Sequence, residues 1–353
     1  MRRPSLRTPA LAAFAAATVL FTACGNPSAT TSPTAQGTSA AGLPAPEVSS
    51  VRVGVIETTT AHDFEVAYTQ NLFSKYGITV DVHKFTGDGP LAQALAAGQV
   101  DFGLDTAGVG PIASQVTDVP LLVVACNKDN LGDILYSAHN ITSASDLKGK
   151  GIAISSFGSE TYGEALIAIK ALGLTTDQVT ITPIGNDGQR RAALAAGSVG
   201  ASLNDGSAIN DMTALGFNAL LSLGSLSTGL PILNVVTQKS FAQKNPNTTL
   251  AVTAAMIEGN HIFLTDIQAA VDAAVKYEGA DRTKTQALVV SDQAGWHPVN
   301  GIPLLADWTA AKQLYVKTDA ALASVDPKSV FTTKFTDQLK SLGWYTKLGI
   351  PTS

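Results

Sequence analysis

Two similar stretches of sequence, one in each half of the chain, constrain its fold more than any other feature. Asp88-Gly89 and the run ALAAG at 94–98 recur 99 residues later as Asp187-Gly188 and ALAAG at 193–197. The same spacing relates the apolar positions 53 and 55 to 152 and 154, and 80 and 82 to 179 and 181. Ala-rich helices that end at Gly look alike in unrelated proteins, because Ala favours helix and Gly suits a left-handed C-cap. One spacing shared by several strands and a helix instead favours an internal duplication, and so two similar lobes that face each other across a cleft.

Each copy alternates strand-like and helix-like segments. In the first half we predict strands at 51–56, 78–82, 100–104 and 120–125, with helices at 64–76 and 90–97. In the second half we predict strands at 151–155, 179–184, 199–203 and 219–223, with helices at 161–172 and 189–196. Strands that alternate with helices form right-handed crossovers, so each lobe should hold a mainly parallel sheet flanked by helices.

Two further strand-like segments are expected to join the lobes. The chain leaves the first lobe through 134–137 and returns through 231–237, which makes a two-strand hinge. The remainder is mostly helical, with helices predicted at 249–263, 266–277, 283–290, 303–316 and 333–342. The predicted boundaries are therefore 51–136 plus 232–353 for lobe 1 and 137–231 for lobe 2.

The N-terminus has the layout of an export signal. Arg2, Arg3 and Arg7 precede an apolar run at 11–21, which is too short to span a bilayer. The residues that follow, Phe-Thr-Ala-Cys at 21–24, resemble a lipobox, in which the cysteine is diacylated and becomes the mature N-terminus. We predict a lipoprotein signal peptide at 1–23 and lipidation of Cys24; the alternative is an ordinary signal peptide cleaved near Ala23.

Residues 24–50 are predicted to form the lipidated cysteine and a flexible tether. Gly, Ser, Thr, Pro and Ala dominate this segment, and such a composition cannot bury a core. The expected location is the outer face of the cytoplasmic membrane, where Cys24 holds the folded body. With Cys24 lipidated, Cys126 is left alone in an apolar run and is interpreted as a small core residue.

Charge and motif content exclude several classes of function. The chain has a formal net charge of −5 and no basic run, which argues against nucleic-acid binding. Its five histidines show no metal-ligand spacing, and one free cysteine cannot build a zinc cluster. No nucleophile elbow, P-loop or dinucleotide fingerprint follows any predicted strand. We therefore predict no catalytic residues, no metal and no cofactor.

Three segments together resemble a known family of transport proteins. The run NLFSKYGITVDVHKFTGDGPLAQALAAGQVDFGLD, with DLKGKGIAISSFGSETY and ITPIGNDGQRRAALAAGSVGASLND, is similar to the nitrate/sulfonate/taurine-type substrate-binding proteins of ABC importers, which also include pyrimidine-precursor binders. The similarity covers most of residues 51–345. It implies a type II periplasmic-binding fold, an α/β fold of two lobes joined by a two-strand hinge, which closes on a small solute and delivers it to a membrane permease.

Candidate ligand contacts follow from the predicted sheets. Ligands bind beyond the carboxyl ends of strands in open parallel sheets, and Gly-containing loops there let backbone amides approach a ligand. Helix N-termini at the same edge can accept a carboxylate, sulfonate or nitrate without a basic side chain. The candidate ligand-binding residues are Thr58, Thr59, Thr60, Asp88, Gly89, Asp105 and Thr106 in the first lobe, and Ser156, Phe157, Gly158, Ser159, Glu160, Thr161, Asn186, Asp187, Asn204 and Asp205 in the second.

Several candidates also have a purely structural interpretation. Asp88, Ser159 and Thr161 suit the N-caps of their own helices. Asp105 and Asp205 follow the third strand of their lobes and suit turns, but as ligand contacts they would face each other across the cleft.

Three other side chains near the same loops are open to two interpretations. Arg190 and Arg191 open a helix where positive charge is mildly unfavourable, which suggests a role facing the cleft, but they are interpreted as a solvated pair. Phe157 stands in a Gly/Ser-rich loop and is a candidate for stacking on a ligand.

These features predict a monomeric, lipid-anchored solute-binding protein that captures a small polar organic solute and passes it to an ABC permease. Few bases oppose the acids near the cleft, which leaves room for a zwitterion, an amine or a nitrogen heterocycle; the helix N-termini keep a sulfonate possible. The alternative from another class is an exported or relocated enzyme on the same fold that acts on a small aromatic acid.

Overall fold

The computed structural model describes residues 41–56, 61–129, 131–226, 230–293, 296, 300–317 and 319–352. The predicted signal peptide, Cys24 and the first part of the predicted tether lie outside these residues. The described strands are β1 (Ser50–Ile56), β2 (Thr79–Phe85), β3 (Phe102–Thr106), β4 (Leu121–Lys128), β5 (Asp133–Ser137), β6 (Gly151–Ile154), β7 (Thr180–Pro183), β8 (Ala201–Asp205), β9 (Asn218–Ser222) and β10 (Leu233–Gln238).

Helices flank the strands along the whole described chain. They are α1 (His62–Thr69), α2 (Leu72–Lys75), α3 (Asp88–Ala96), α4 (Val109–Ser114), α5 (Glu160–Ala171), α6 (Asp187–Ala195), α7 (Ile209–Ala214), α8 (Lys239–Lys244), α9 (Pro246–Thr265), α10 (Ile267–Glu278), α11 (Arg282–Gln293), α12 (Leu305–Tyr315), α13 (Lys334–Ser341) and α14 (Trp344–Leu348). Among the described residues, no helix is long and apolar enough to cross a membrane.

The strands form two sheets with the same topology. The first has the order β2-β1-β3-β10-β4 and the second has the order β7-β6-β8-β5-β9. In each sheet three neighbouring strands are parallel, and the fourth strand in the sheet order runs antiparallel to them. The predicted two-lobed α/β fold with mainly parallel sheets is therefore confirmed.

The duplication holds at the level of individual backbone pairs. Val53 lies beside Phe102 in the first sheet, and Ile152 lies beside Ala201 in the second, so both partners are displaced by the same 99 residues. The helices α3 and α6 begin and end at the same displacement, at Asp88 and Asp187. The internal repeat read from the sequence is therefore structural and does not reflect Ala-rich composition alone.

Each antiparallel strand comes from the opposite half of the chain. β5 follows β4 of the first sheet but pairs with β8 and β9 of the second. β10 follows β9 of the second sheet but pairs with β3 and β4 of the first. These two strands are the crossings expected from the sequence. The expected lobe boundary at 136/137 differs in detail, because β5 already belongs to the second sheet from Asp133.

The end of the predicted tether is part of the folded body. Leu43 is buried, and the carboxylate of Glu47 accepts the backbone N–H groups of Asn247 and Thr248 at 2.9 and 2.7 Å. Those amides open α9 and have no partner within the helix, so Glu47 acts as its cap. The flexible tether predicted for 24–50 is therefore wrong for 41–50, because one apolar residue and one capping carboxylate anchor this segment.

The predicted first helix at 64–76 is divided in two. Asn71 has a φ of 59°, in the left-handed region, and separates α1 from α2. Asn tolerates this region better than other residues with a Cβ, which is why the interruption falls there. The remaining predicted strands and long helices match described elements to within a few residues.

The absence of a side chain at Gly259 allows α9 to pack closely on α1. A Cβ at this position would meet the carbonyl oxygen of Asp63 and would lie 2.9 Å from the Cβ of Ala67. Gly259→Ala should lower the free energy of unfolding by about 1–3 kcal/mol in urea denaturation, because the helices must separate. Gly89→Ala is the control: its Cβ meets open space, and Ala should leave stability unchanged or raise it by up to about 1 kcal/mol. Equal stability of Gly259→Ala and the parent would contradict this account of the packing.

Candidate functional site

A cavity of about 460 Å³ lies between the two sheets, at the carboxyl ends of their parallel strands. Both lobes and both crossing strands contribute to its wall. The lining residues are Ile56, Thr86, Gly87, Asp88, Ala107, Asp133, Ser155, Glu160, Thr161, Asn186, Asp187, Gly188, Arg190, Arg191, Asp205, Ala208, Asp211, Ile232, Leu233 and Leu288. This volume suits a small organic molecule.

Asp88 joins the two lobes at the cavity. Its Oδ1 accepts the backbone N–H of Ala107 at 2.8 Å, which ties the start of α3 to the end of β3. The backbone N–H of Glu160, the first residue of α5 in the other lobe, also faces the carboxylate and lowers its pKa. Burial raises the pKa of Asp88 to about 6, although the two amides partly offset that rise. The predicted N-cap role of Asp88 is wrong, because Asp88 is the first residue of α3 and its carboxylate faces β3 and α5 of the other lobe instead.

Three carboxyl groups of the second lobe crowd one side of the cavity. Burial, together with the negative charge of Glu160, raises the pKa of Asp133 to about 8. Burial also raises the pKa of Glu160 to about 7, against the attraction of Lys128. Glu164, wholly buried behind the cavity wall, has its pKa raised well above its usual value by burial and by Asp133. At neutral pH this cluster therefore holds protons that isolated carboxyl groups would release.

Arg190 is a structural group rather than a solvated one. It is buried, its Nε donates to the carbonyl of Leu203 at 2.7 Å, and its Nη1 donates to the carbonyl of Gly185 at 2.8 Å. Its Nη2 lies 2.8 Å from Oδ1 of Asp187. Arg191 is half-exposed and lies 3.4 Å from Oδ2 of the same aspartate. The predicted solvated pair is thus wrong for Arg190, whose guanidinium ties α6 to the end of β8.

Ser159 caps α5 and Asn186 caps α6, whereas Thr161 binds the loop that precedes α5. The hydroxyl of Ser159 accepts the N–H of Tyr162 at 3.2 Å, and Thr161 Oγ1 accepts the N–H of Ser155 at 2.8 Å. Asn186 forms a capping box with Gln189 at the start of α6. Of these six residues, Ser155, Thr161 and Asn186 also line the cavity. At the N-terminus of each helix, a backbone N–H group therefore already has a hydrogen-bond acceptor within the protein.

Six of the predicted contact residues line the cavity. They are Asp88, Glu160, Thr161, Asn186, Asp187 and Asp205.

Two predicted residues serve the wall or lie outside the cavity. Asn204 is buried behind the wall, where its amide donates to the carbonyl of Asp187 at 3.1 Å. Phe157 is 58% exposed and packs edge-on against Tyr162, with ring centroids 5.4 Å apart.

Other predicted contacts remain predictions. Ser156, Gly158 and Ser159 precede α5 without lining the cavity, and Gly89 lies in the first turn of α3. Thr58, Thr59 and Thr60 lie outside the described residues. Asp105 and Thr106 end β3, but their side chains lie outside the described part, so the expected opposition of Asp105 and Asp205 stays a prediction.

Sequence reasoning missed the contribution of the crossing strands. Asp133 begins β5 and pairs with Asp205, the last residue of β8. Because β5 runs antiparallel, its first residue lies at the edge where the parallel strands end. Ile232 and Leu233 occupy the same position at the start of β10. The signal in the sequence is the start of each predicted hinge strand, which lies at the same edge as the ends of the parallel strands.

Leu288 of α11 was also missed as a cavity residue. α11 contacts the turn at 206–208 of the second lobe and brings Leu288 to the cavity. His62 anchors this helix, since its Nε2 lies 3.2 Å from Asp292 while its Nδ1 lies 2.9 Å from Glu65. Burial lowers the pKa of His62, but these two carboxylates outweigh it and raise the pKa to about 10. A C-terminal helix therefore covers one side of the site, which sequence periodicity does not reveal.

Metal binding finds no support in the described part of the chain. Its residues form no group of three or more histidine, cysteine, aspartate or glutamate side chains able to hold a metal ion.

Comparisons with known proteins agree with this architecture. Among solved structures, the alkanesulfonate-binding protein SsuA from Xanthomonas axonopodis pv. citri, bound to MOPS, superposes with a TM-score of 0.67 at 17% identity, covering 81% of this chain and 99% of that one. The periplasmic nitrate-binding protein NrtA from Synechocystis PCC 6803 gives 0.68 at 14% identity, with 88% and 92% covered. The two-lobed fold is that of the periplasmic binding proteins.

Sequence similarity then identifies the family. The model of the NMT1-like family matches residues 44–277. The taurine-binding periplasmic protein of Escherichia coli strain K12 is 31% identical over 229 residues, which cover 62% of this chain and 68% of that protein. The chain belongs to the NMT1-like family, so the resemblance read from the sequence is confirmed. Because its close homologues are binding proteins, the chain is a binding protein and not an enzyme, and the enzyme alternative is set aside.

We expect Asp133→Asn to stabilise the free protein at alkaline pH. A folded-state pKa of about 8 against an unfolded value near 4 means that the folded state loses stability as pH rises between these values. The amide carries no such penalty, so the gain should be absent below about pH 4 and largest above pH 8, on the order of 1–3 kcal/mol. Urea denaturation at pH 5, 7 and 9 measures it. A gain that is the same at all three pH values, or no gain at pH 9, would contradict the assignment.

Proposed function

We propose that this chain is the extracytoplasmic solute-binding component of an ABC importer, which captures a small polar organic solute between its lobes and delivers it to a membrane permease. The main observation behind this proposal is the cavity at the carboxyl ends of the parallel strands of both sheets. Both lobes and both crossing strands line it, and polar groups come from both lobes. The taurine-binding relative and the sulfonate- and nitrate-binding structures support this role.

Closure on the solute follows from the way the lobes are joined. Two strands cross between the sheets, while the polar cavity groups are divided between the lobes. Closing buries those groups, and a ligand that pairs with both sets is needed to offset their desolvation. Affinity should therefore depend on both lobes together.

A disulfide between the lobes tests closure. A Cβ at Gly87 of the first lobe would lie 3.8 Å from Oγ of Ser156 in the second. In a Cys24→Ser background, the double variant Gly87→Cys/Ser156→Cys should oxidise to a compact form, because the structure places these two positions side by side across the lobes. Small-angle scattering should give that form the same radius of gyration as the parent saturated with a bound solute. The reduced variant and the single variant Gly87→Cys should be larger. Identical radii in all four samples would contradict closure.

Membrane attachment through Cys24 is the second part of the proposal. Its support is the basic start, the short apolar run and the Ser/Thr/Pro-rich stretch after the cysteine. This arrangement would keep the binding protein beside its permease on the outer face of the cytoplasmic membrane.

We predict that Cys24→Ser moves the protein from the membrane fraction to the soluble fraction, or stalls its processing. Cys126→Ser is the matched control: Cys126 is buried in β4 and should not affect attachment. Fractionation of expressing cells, with the intact mass of the mature N-terminus, measures the result. A mature N-terminus that begins at another residue and carries no lipid would refute the assignment.

A further inference from the structure

We propose that the interlobe cavity takes an organic cation, a small molecule whose protonated amino group lies against Asp133. The inference rests on the proposed function, because it names the chemical class of the solute for the same site. It departs from the sulfonate- and nitrate-binding structures of the same fold, whose named ligands each carry a negative group.

The first support is the position of Asp133. This residue is only 9% exposed, it lines the cavity, and its Oδ2 accepts no hydrogen bond from a donor group among the described residues. The backbone N–H of Asp133 donates to Oε1 of Glu164 at 3.4 Å. Among the described residues, the donor that the side chain of Asp133 can meet is a carboxyl proton shared with the side chain of Glu164. A buried carboxylate without a donor is costly, so an N–H group supplied by a ligand would be strongly favoured.

The second support is the balance of charge around the cavity. Two arginines, Arg190 and Arg191, line it, and both already face Asp187. The guanidinium of Arg190 is further committed to two backbone carbonyls. An anionic ligand would have to break these contacts or remain unpaired, whereas an ammonium group meets an excess of carboxylates. The six acidic lining residues are Asp88, Asp133, Glu160, Asp187, Asp205 and Asp211.

The third support is that the N-termini of α5 and α6 at the cavity are already occupied. The amide of Glu160 at the start of α5 faces the carboxylate of Asp88, so a protein anion takes the place that a sulfonate would need. At the start of α6, Asn186 accepts the N–H of Gln189, and Asp187 places another carboxylate in the first turn. Two of the helix N-termini that keep an anion possible in the sequence, those of α5 and α6, are therefore already engaged within the protein.

Binding of a cation should be coupled to proton release. The cluster around Asp133 is partly protonated at neutral pH, and a positive ligand favours its ionised form. Lys128, which lies 4.8 Å from the ring centroid of Trp296, neutralises part of the cluster but does not line the cavity. The charged groups that face Asp133 and Glu164 from the neighbouring elements are Lys128, Glu160, Asp187, Arg190 and Asp205.

Three small probes with one common skeleton test the sign of the ligand charge. Ethanolamine carries an ammonium group, isethionate carries a sulfonate in its place, and taurine carries both. Isothermal titration of the full-length protein should show binding of ethanolamine and no binding of isethionate. The ammonium group titrates near pH 10, so its charge is constant over the working range. Ethanolamine affinity should rise between pH 6 and pH 8, where Asp88, Glu160 and Asp133 ionise. Buffers of different ionisation enthalpy should reveal proton release.

Variants then assign the effect to Asp133. Asp133→Asn should weaken ethanolamine binding at least about tenfold, since a charge-assisted hydrogen bond is lost. Glu160→Gln provides a second removal of charge from the cluster and should flatten the pH dependence. Asp118→Asn makes the same charge change on an exposed loop before β4, at the opposite edge of the first sheet. It should change the affinity by less than about twofold, because distant exposed charges are screened.

The outcomes separate this inference from the function it rests on. Binding of isethionate or taurine without ethanolamine, with affinity that falls as pH rises, would overturn the cation assignment and still support a solute-binding protein. Ethanolamine binding that Asp133→Asn leaves unchanged would overturn the role of Asp133. Failure of ethanolamine to bind at millimolar concentration counts against the cation assignment in every case. The proposed function fails only if, in addition, the lobes do not close.

Discussion

The exchange of one strand between the two halves of the chain is the constraint on which the rest of this structure depends. β5 and β10 each complete the sheet of the opposite lobe, inserted between a parallel strand and an outer strand. Neither lobe therefore has a complete sheet without the other half of the chain. The same exchange makes the crossings short and places their first residues at the carboxyl ends of the parallel strands. A hinge and a cavity wall thus arise from the same two segments.

The chemistry of the cavity follows from that arrangement. Because β5 runs antiparallel, it brings Asp133 to an edge where loops and helix N-termini already supply polar groups. The equivalent start of β10 supplies Ile232 and Leu233, so the two lobes offer unlike surfaces despite their common topology. The two copies of the repeat thus share their backbone plan and differ in side chains that line the cavity.

Electrostatics in the cavity works against the stability of the empty protein. Asp133, Glu160 and Glu164 are held where burial and mutual repulsion disfavour their charged forms. A folded protein retains such groups when a ligand or a shared proton offsets the penalty. Asp88 is the contrasting case, since backbone amides from both lobes satisfy its carboxylate. The carboxylate of Asp88 therefore links the lobes, while the charged forms of Asp133, Glu160 and Glu164 are disfavoured in the empty protein.

The sequence by itself determined the two-lobed plan, the order of strands and helices, and the register of the repeat, because each depends on local periodicity and on a spacing that can be counted. It also placed Asp88, Glu160, Asp187 and Asp205 at the cavity, since the ends of parallel strands share one edge. Only the tertiary structure decided that Arg190 is buried, that 41–50 packs on α9, and that Asp133 enters the site. Those outcomes depend on contacts between residues distant in the chain and on the direction of a crossing strand, and neither leaves a periodic trace in the sequence.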